Sequence, residues 1–409
     1  MTETSGFFNL GIAPAILTFL GRHGFTVPTP IQEKSIPAGL AGKDLVGIAQ
    51  TGTGKTLGFG IPALQHVLQK KGNVLVVLPT RELALQVHES LLKIGQPLGI
   101  RFAVLIGGAS MGKQLSEIRR GANIVIGTPG RMIDHLDQKT LTLSQTNLLV
   151  LDEADRMLDM GFAPQLHRIL QRVPEVRQTL LFSATMPPEI MNIARKFMKL
   201  PIQIEVAPQG TTVEKVTQEV FILAKDQKLA LLLKLLNDYK GSVLVFTRTK
   251  YGAKKVAHVL RNAGHKSIEI HSNRSLNQRK EALAGFKTGN YRVLVATDIA
   301  ARGIDVSDIE VVVNFDLPDQ AEDYVHRIGR TARAGAKGHA ISFATPDQRG
   351  DLRTIERLVR QTLPVSKLPD SMPAPAPMLE VKRDFSRRPM SHRPSGGRGS
   401  RPGGFRRRR

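Results

Sequence analysis

Short apolar runs alternate with segments of helical periodicity along most of the chain. The runs "NVLVVLP" (73–79) and "LLVLD" (148–152) are apolar at nearly every position, which is typical of strands buried on both faces of a parallel sheet. Segments such as "RELALQVHESLLKIG" (81–95) repeat apolar residues at helical spacing and predict helices between those strands. The pattern therefore predicts an α/β protein in which helices flank parallel sheets.

The predicted strands fall into two series of similar design. The first series extends from "DLVGIA" (44–49) to "TLLFS" (179–183), and the second extends from "QEVFILA" (218–224) to "HAISFA" (339–344). The segment between them, "APQGTTVEK" (207–215), contains Pro, Gly and Thr without periodicity and predicts a linker. The predicted organisation is two similar domains at 1–206 and 217–365, a linker at 207–216 and a tail at 366–409.

The chain is strongly basic and contains no cysteine. It carries 58 Lys and Arg against 35 Asp and Glu, a net charge of +23 at pH 7, which favours a polyanionic partner, most often nucleic acid. The absence of cysteine excludes disulfides, thiol catalysis and cysteine-ligated zinc, and it is typical of the reducing cytoplasm. No apolar run approaches the roughly 18 residues that span a bilayer, and the start has no signal-peptide pattern. We therefore expect a cytoplasmic protein without a membrane segment.

Part of the positive charge is concentrated at the end of the chain. Residues 370–409 contain eleven Lys and Arg against three carboxylates, together with many Pro, Gly and Ser. Such a segment buries too little apolar area to offset its conformational entropy, so we predict that the tail is disordered. Its arginine-rich composition favours RNA binding over a purely solubilising role.

The string "AQTGTGKT" (49–56) follows a predicted strand and precedes a predicted helix, which is the context of a phosphate-binding loop. Glycines in such a loop let backbone N–H groups face phosphate oxygens, the lysine supplies positive charge, and the threonine hydroxyl binds Mg²⁺. This class of loop usually begins with Gly, where this chain has Ala49. The candidate nucleotide ligands are Thr51, Gly52, Thr53, Gly54, Lys55 and Thr56.

Three carboxylates follow the buried run "LLVL" in the string "LLVLDEAD" (148–155). Adjacent carboxylates repel one another unless a cation or a proton lies between them. Proteins with a phosphate-binding loop place a carboxylate at the end of a nearby strand to hold Mg²⁺. We therefore predict that Asp152 binds Mg²⁺ together with Thr56, and that Glu153 orients or deprotonates the attacking water. We expect Asp155 to order its neighbours.

Ten short strings occur in the order of one family's motifs. Each string alone is a weak signal, but the ordered series is specific. From about residue 8 to residue 362, the chain resembles the DEAD-box RNA helicases, and within them the bacterial RhlE-type branch. The strings are "GFTVPTPIQ" (24–32), "AQTGTGKT" (49–56), "PTRELA" (79–84), "GG" (107–108), "TPGR" (128–131), "DEAD" (152–155), "SAT" (183–185), "VLVFTRT" (243–249), "ATDIAARGID" (296–305) and "HRIGRTARA" (326–334).

The resemblance implies two tandem RecA-like domains followed by the disordered tail, with ATP and Mg²⁺ bound between the domains. It also implies how the base and the sugar are recognised. Gln32 would hydrogen-bond the adenine edge, Phe25 would stack on the adenine face, and Asp305 would contact the ribose. Phe8 corresponds to the family's isolated upstream aromatic residue.

The resemblance further implies that the second domain contributes to catalysis. Arg330 and Arg333 are three residues apart on a predicted helix and therefore share a face. By resemblance they are arginine fingers that reach the γ-phosphate. Where the family more often has Gly, this chain has Ala332, which adds one methyl group.

RNA contacts are implied at turns that follow predicted strands, where open α/β sheets place their sites. Such contacts to phosphates carry little sequence information. Two departures from the family pattern fall in the second domain, at Ser272 and Leu276, and Leu276 has no hydrogen-bonding group. The implied RNA contacts are Thr80, Arg81, Gly108, Thr128, Arg131, Thr247, Arg279 and Thr297. The implied residues that couple the RNA and nucleotide sites are Ser183, Thr185 and His326.

The activity implied by the resemblance is ATP-dependent unwinding of short RNA duplexes or remodelling of RNA–protein complexes. The expected partners are single-stranded RNA and short duplexes, bound by a monomer. Ribosomal and RNA-decay complexes are both compatible with the family. Two alternatives stay open: a DNA helicase with the same core, and an RNA chaperone that acts through the tail. ATPase stimulation by RNA or DNA tests the first alternative, and deletion of residues 370–409 tests the second.

Overall fold

The computed structural model describes residues 6–50, 52–206, 216–301, 309–331 and 338–369, with residues 299 and 301 described by their backbone alone. Within these ranges the strands form a seven-stranded sheet and a six-stranded sheet. All strand pairs in both sheets are parallel. Together with the helices packed on them, the sheets confirm the predicted α/β fold of two RecA-like domains.

Residues 6–206 form the first lobe. Its sheet has the strand order β3-β4-β2-β5-β6-β1-β7. The strands are β1 (Leu45–Ile48), β2 (Asn73–Val77), β3 (Phe102–Leu105), β4 (Ile124–Gly127), β5 (Thr146–Leu151), β6 (Gln178–Ser183) and β7 (Ile202–Glu205). The helices are α1 (Pro14–Arg22), α2 (Pro30–Leu40), α3 (Lys55–Leu68), α4 (Arg81–Gly95), α5 (Met111–Arg119), α6 (Pro129–Asp137), α7 (Ala154–Asp159), α8 (Ala163–Leu170) and α9 (Pro188–Phe197), with short 3-10 helices at Phe7–Leu10 and Gln96–Leu98.

The described residues between 216 and 369 form the second lobe. Its sheet has the strand order β10-β11-β9-β12-β13-β8. The strands are β8 (Val216–Ile222), β9 (Ser242–Phe246), β10 (Ser267–Ile270), β11 (Val293–Ala296), β12 (Ile309–Asn314) and β13 (Gly338–Ala344). The helices are α10 (Lys228–Asp238), α11 (Lys250–Asn262), α12 (Leu276–Lys287), α13 (Asp298–Ala301), α14 (Ala321–Ile328) and α15 (Arg349–Val359), with a 3-10 helix at Pro346–Gln348.

Each sheet is covered by apolar side chains on both faces, as the continuous apolar runs predict. In β5, Leu148 and Val150 belong to one core of the first lobe, whereas Leu149 and Leu151 belong to the core on the opposite face. This alternation follows from the two-residue period of a strand.

Because the strands are parallel, the loops that follow them gather at one edge of each sheet, where sites of α/β proteins form. No helix in the described ranges has both the length and the hydropathy of a membrane span.

The end of the second lobe extends beyond the predicted boundary at residue 365. The Ser366 amide donates to the Val220 carbonyl at 2.9 Å, and the Val220 amide donates to the Pro364 carbonyl at 2.9 Å. Leu368 packs partly buried against the apolar core of the lobe. Ser366 and Leu368 therefore belong with the second sheet rather than with the tail. The linker segment 207–215 and the tail segment 370–409 lie outside the described residues.

A chain of polar contacts ties this terminal segment to the sheet. The Ser366 hydroxyl donates to the Glu219 carboxylate, whose second oxygen lies 3.0 Å from Nε2 of His339. Nδ1 of His339 lies 2.5 Å from the Tyr239 hydroxyl. The His339 contact, supported by the Ser366 hydroxyl, lowers the pKa of Glu219 below its ordinary value of 4.5. The cluster is thus built around an ionised Glu219.

Glu219→Gln should weaken the attachment of the terminal segment at neutral pH. A carboxyl whose pKa is depressed by folding stabilises the folded state above its unfolded pKa, and this contribution is lost as the pH falls through the folded pKa. We expect the Val220 and Ser366 amides to lose about 1 kcal/mol of protection from hydrogen exchange at neutral pH. The loss should shrink below pH 4.5. Glu322→Gln, at an exposed carboxylate of α14, is the matched control, and equal losses in both variants would contradict the assignment.

Candidate nucleotide and RNA site

The phosphate-binding loop connects β1 to α3, as predicted. Gly52 and Gly54 have φ angles of 91° and 90°, in the left-handed region that only glycine adopts without strain. Lys55 begins α3, so the loop delivers the positive end of a helix to the site. The Thr53 hydroxyl donates to the Gln50 carbonyl at 2.8 Å and braces the turn.

Gln32 is bonded to the phosphate-binding loop itself. Its side-chain Nε2 donates to the Gly54 carbonyl at 2.9 Å, and its Oε1 accepts from the Thr29 amide at 2.9 Å. We expected Gln32 to bond adenine, and the structure shows that both ends of its amide also have protein partners. One N–H and one lone pair remain available for a base. A Cβ atom on Gly54 would lie 2.4 Å from Nε2 of Gln32, so a larger residue there would displace the Gln32 amide from this contact.

Lys55 and Asp152 meet in the interior beside the loop. Lys55 is 5% exposed, and its ammonium donates to the Ala49 carbonyl at 2.9 Å and lies 3.9 Å from Oδ1 of Asp152. Burial raises the pKa of Asp152 to about 6, because the charge of Lys55 offsets only part of the cost of desolvation and the nearby Glu153 adds repulsion. Asp152 is thus a buried carboxylate that an additional cation would stabilise.

Glu153 is held by an arginine that sequence reasoning did not single out. Its backbone is left-handed, with φ 51° and ψ 50°, at the start of α7. Its Oε2 lies 3.1 Å from Nη1 of Arg156, three residues later, and both side chains are buried. The Asp152 carboxylate accepts from the Glu153 amide at 3.0 Å. The sharp turn and the ion pair together fix the position of the Glu153 carboxylate.

Asp155 joins the end of β5 to the end of β6. Its Oδ2 accepts from the amides of Ala184 and Thr185 at 3.1 and 2.9 Å and from the Thr185 hydroxyl at 2.9 Å. The Ser183 hydroxyl accepts from the Asp155 amide at 3.2 Å. Asp155 therefore orders its neighbours as expected, and it connects the predicted coupling residues Ser183 and Thr185 directly to the carboxylate motif.

A cavity of about 330 Å³ opens beside the phosphate-binding loop. Phe25, which is 43% exposed, and Gln32 line it together with Lys55 and Thr56. Its polar wall is completed by Asp152 and Glu153, and its far end by residues of α4. Within the described ranges the lining comes from the first lobe. Phe8, exposed by 80% on the first 3-10 helix, stands outside this lining.

The second lobe brings His326 and Arg330 to the carboxylate motif. Burial, followed by the charge of Arg156, lowers the pKa of His326, and the carboxylates of Asp155 and Glu153 act on it in the opposite direction. Arg330 is 3% exposed, and its Nε donates to the His326 carbonyl at 3.2 Å. Both residues line a small cavity together with Arg156 of the first lobe. The two lobes therefore contact each other beside the carboxylate motif.

Three of the predicted site residues lie outside the described part of the chain. These are Thr51 of the phosphate-binding loop, the ribose candidate Asp305 and the second finger candidate Arg333. Arg330 is described, but it does not line the larger cavity. Its role as an arginine finger stays a prediction.

The predicted RNA contacts of the first lobe gather at the carboxyl ends of β2, β3 and β4. A Cβ atom on Gly108 would lie 2.5 Å from Nη1 of Arg81, so this guanidinium packs directly on the Gly108 backbone. Arg131 donates to the Ala109 carbonyl at 3.2 Å and thereby reaches the same loop. The buried residues Thr80 and Thr128 precede α4 and α6. The structure brings this group of candidates together.

The second lobe departs from the predicted RNA contacts in two places. Thr247 is fully buried, and its hydroxyl donates to the Thr249 carbonyl at 3.3 Å, so it does not present a donor at the surface. Nη2 of Arg279 lies 2.8 Å from Oε2 of Glu82, and the two side chains are 9% and 5% exposed. Arg279 thus bridges the lobes instead of facing solvent. Thr297 is partly exposed after β11.

Family models match both lobes. A DEAD/DEAH box helicase model matches residues 29–193, and a helicase conserved C-terminal domain model matches residues 227–335. The DEAD-box ATP-dependent RNA helicase CshA of Bacillus subtilis is 42% identical over 372 residues, which cover 90% of this chain and 75% of that protein. The chain belongs to the DEAD-box helicase family. The ATP-dependent RNA helicase CshA of Listeria monocytogenes is also 42% identical, over 93% of this chain and 73% of its own length.

Solved structures of other DEAD-box proteins have the same fold as this DEAD-box protein. Dbp5 of S. cerevisiae bound to RNA and ADP BeF3 matches with a TM-score of 0.78 and 29% identity, covering 88% of this chain and 94% of that chain. Mss116p bound to single-stranded RNA and AMP-PNP matches with a TM-score of 0.82 and 27% identity, covering 90% of this chain and 81% of that chain.

Three contacts near the candidate site of this DEAD-box protein were missed by sequence reasoning. Arg156 could have been found, because a cation three residues after Glu153 shares its side of a short helix. The pairing of Glu82 with Arg279 has no local signal, since the partners are far apart in sequence. Arg327 binds the Asp298 carboxylate at 2.6 and 2.7 Å and stabilises α14, which carries His326. The motif "HRIGR" led us to assign roles to His326 and Arg330, but not to Arg327, which lies between them.

Proposed function

We propose that this DEAD-box protein is an RNA helicase that hydrolyses ATP at the 330 Å³ cavity and separates short RNA duplexes or remodels RNA–protein complexes. The observation that carries the proposal is the electrostatic path from Lys55 to the second lobe. Lys55 lies 3.9 Å from Asp152, and the charge of Asp155 acts on both Asp152 and His326. Asp155 also accepts from the Thr185 amide just after β6. Such a path lets nucleotide chemistry and RNA binding influence each other.

The residues present fit a magnesium nucleotide. Asp152 is a buried carboxylate whose raised pKa of about 6 reflects incomplete charge compensation, and Thr56 lines the same cavity. Mg²⁺ in nucleotide sites is usually held by one or two protein oxygens, with phosphates and water completing the shell. Asp152 and Thr56 would hold the ion, which would neutralise negative charge on the β- and γ-phosphates.

Each residue of the site has a proposed task in hydrolysis. Lys55 binds the phosphates, and its Asp152 contact keeps the ammonium in the loop. Glu153, positioned by Arg156, orients the attacking water and accepts its proton. Gln32 and Phe25 bind the base, and Arg330 stabilises charge on the γ-phosphate when the lobes close around ATP. Lobe closure would also favour a bent RNA strand, which a duplex does not adopt, so local base pairs separate.

We propose that the protein acts as a cytoplasmic monomer on single-stranded RNA and short duplexes, within ribosomal or RNA-decay complexes, and that it belongs to the RhlE-type branch. Support comes from the basic composition and from the matched motif series. Among the described residues, the Arg81–Gly108 contact supports an RNA surface at the edge of the first sheet.

ATPase stimulation tests the proposal against a DNA helicase. Steady-state hydrolysis by the full chain should rise with single-stranded RNA and stay near its basal rate with DNA of equal length and sequence, because a 2′-hydroxyl distinguishes the two. Equal stimulation by both polymers would support the DNA alternative. If neither polymer changes the rate, the proposed coupling is wrong.

A further inference from the structure

An exposed aromatic residue lies among cations on the second lobe. Tyr251, in the first turn of α11, is 73% exposed. The ammonium of Lys250 lies 5.4 Å from the centre of the tyrosine ring and donates to Oδ1 of Asn273 at 3.2 Å. The ring is thus flanked by a cation that is itself held in place. Aromatic rings beside cations bind single-stranded nucleic acid by stacking on bases and contacting phosphates.

The positive charge around Tyr251 is not cancelled by Glu269, the carboxylate that acts on the neighbouring His271. Lys254, one turn further along α11, is exposed. Glu269 is buried and already paired with Arg261 at 2.8 Å and with Arg274. The surface therefore keeps the charges of Lys250 and Lys254 available for an anion such as a phosphate.

A buried histidine beneath this surface has unused hydrogen-bonding capacity. His271 is 6% exposed, and neither ring nitrogen has a hydrogen-bond partner within the described ranges. Burial, followed by the charge of Arg274, lowers the pKa of His271, while Lys250 and Lys254 act on it in the same direction. The neutral ring then carries one donor and one acceptor. A buried polar group of this kind calls for a partner, and a ribose 2′-hydroxyl is both donor and acceptor.

The surface lies at the end of the predicted RNA track. Tyr251 and His271 follow β9 and β10, at the same sheet edge as Thr247 and Thr297. Strand β10 is the outermost strand of this sheet. His271 follows this outermost strand, and the bond from Lys250 to Asn273 places Tyr251 beside it. A strand of RNA that passes along the edge would therefore meet both residues at its outer end.

We propose that Lys250, Tyr251, Lys254, His271 and Asn273 form a binding site for one nucleotide of single-stranded RNA. Tyr251 stacks on the base, Lys250 and Lys254 bind the flanking phosphates, and His271 bonds the ribose 2′-hydroxyl. Asn273 holds Lys250 in position. The site rests on the proposed function, because it adds a base and sugar contact to the same RNA strand.

Binding to RNA that carries one abasic nucleotide, moved along the strand position by position, tests the stacking contact. With the full chain, one position should weaken binding by about 5-fold or more, the effect of one lost stack. Tyr251→Ala should weaken binding of intact RNA by the same factor and lose the sensitivity at that position, whereas Tyr251→Phe should behave like wild type. If Tyr251→Ala binds intact RNA as wild type does, or Tyr251→Phe binds as weakly as Tyr251→Ala, the proposal is overturned.

Two neighbouring lysines provide a matched comparison for the phosphate contact. Lys254 and Lys255 are adjacent exposed residues of α11, but of the two Lys254 acts on His271. Lys254→Ala should lower RNA affinity and reduce its salt dependence by about one phosphate contact, or ~0.7 in log–log slope. Lys255→Ala should leave the slope nearer wild type. Identical slopes for the two variants would contradict the assignment.

The sugar contact is tested by RNA with a single 2′-deoxy substitution moved along the strand. The wild-type protein should bind more weakly when the 2′-deoxy nucleotide stands at the position where an abasic nucleotide weakens binding, or at the position next to it. His271→Leu should lose this sensitivity, and His271→Asn, which keeps a donor and an acceptor, should retain part of it. If folded His271→Leu keeps the wild-type sensitivity to 2′-deoxy substitution, His271 is not part of the site. The Tyr251 variants change an exposed side chain, so they test the site without disturbing the core.

The proposed function and the proposed nucleotide site are refuted by different results. If RNA does not stimulate wild-type hydrolysis, the proposed function itself is wrong. If RNA stimulates wild type while the Tyr251, Lys254 and His271 variants bind every RNA like wild type, the helicase proposal stands and this site is refuted.

Discussion

Replacing Lys55 by alanine is expected to reduce ATP hydrolysis by about 10²-fold or more, the usual cost of removing a charge aimed at the transition state. The structure adds a second reason. The Lys55 ammonium is the cation that keeps the pKa of Asp152 from rising further, so its loss leaves the buried carboxylate less compensated. RNA affinity should persist, because the RNA candidates lie at the ends of other strands. The measurement is steady-state hydrolysis with saturating RNA, alongside RNA binding without nucleotide.

Lys43→Ala is the control for Lys55→Ala. Lys43 is an exposed lysine shortly before β1, so its removal changes the net charge equally without touching the loop. Its hydrolysis rate should stay near wild type. Hydrolysis by Lys55→Ala at the Lys43→Ala rate would exclude the cavity beside Lys55 as the catalytic site.

Arg330→Ala should lower the maximal rate of hydrolysis by about 10³-fold or more, as expected for loss of an arginine finger. The apparent affinity for ATP should change little, because a finger acts on the transition state rather than on the bound nucleotide. Rate and KM for ATP are measured together at saturating RNA. A finger supplied by the second lobe also predicts that RNA stimulation disappears in the variant.

Burial makes a fold-level control necessary for Arg330. The side chain is 3% exposed and bonds the His326 carbonyl, so its removal also affects packing. Arg330→Lys keeps the charge and part of the volume, and Arg353→Ala removes an exposed arginine of the same lobe. A raised KM for ATP with an unchanged maximal rate in Arg330→Ala would rule out the finger role.

The sequence predicts this fold well because its strands are buried on both faces. Continuous apolar runs such as 148–151 are typical of strands buried on both faces of a parallel sheet, which is where β5 lies. The helix predicted at 81–95 matches α4 (Arg81–Gly95) at both ends. Strand β7 was missed, because it is only four residues long and three of them are exposed.

The site is predictable where chemistry depends on local strings and unpredictable where it depends on tertiary placement. The phosphate-binding loop and the Asp152–Asp155 motif are each a contiguous string of sequence. The structure brings them together as expected, through the contact between Lys55 and Asp152. The Glu82–Arg279 pair joins the two lobes, so no window of sequence contains it. Burial of Thr247 had no signal either, since a threonine after a strand is compatible with a surface or an interior position.

The bond between Gln32 and Gly54 has a consequence for how the protein selects its nucleotide. The side chain proposed to sense the base is anchored on the very peptide that shapes the phosphate-binding turn. A purine that bonds the Gln32 amide in a different orientation would break its bond to the Gly54 carbonyl. The phosphate-binding turn would then be less firmly held, although it lies at the other end of the bound nucleotide from the base. Discrimination between ATP and GTP should therefore emerge as a difference in turnover as well as in affinity.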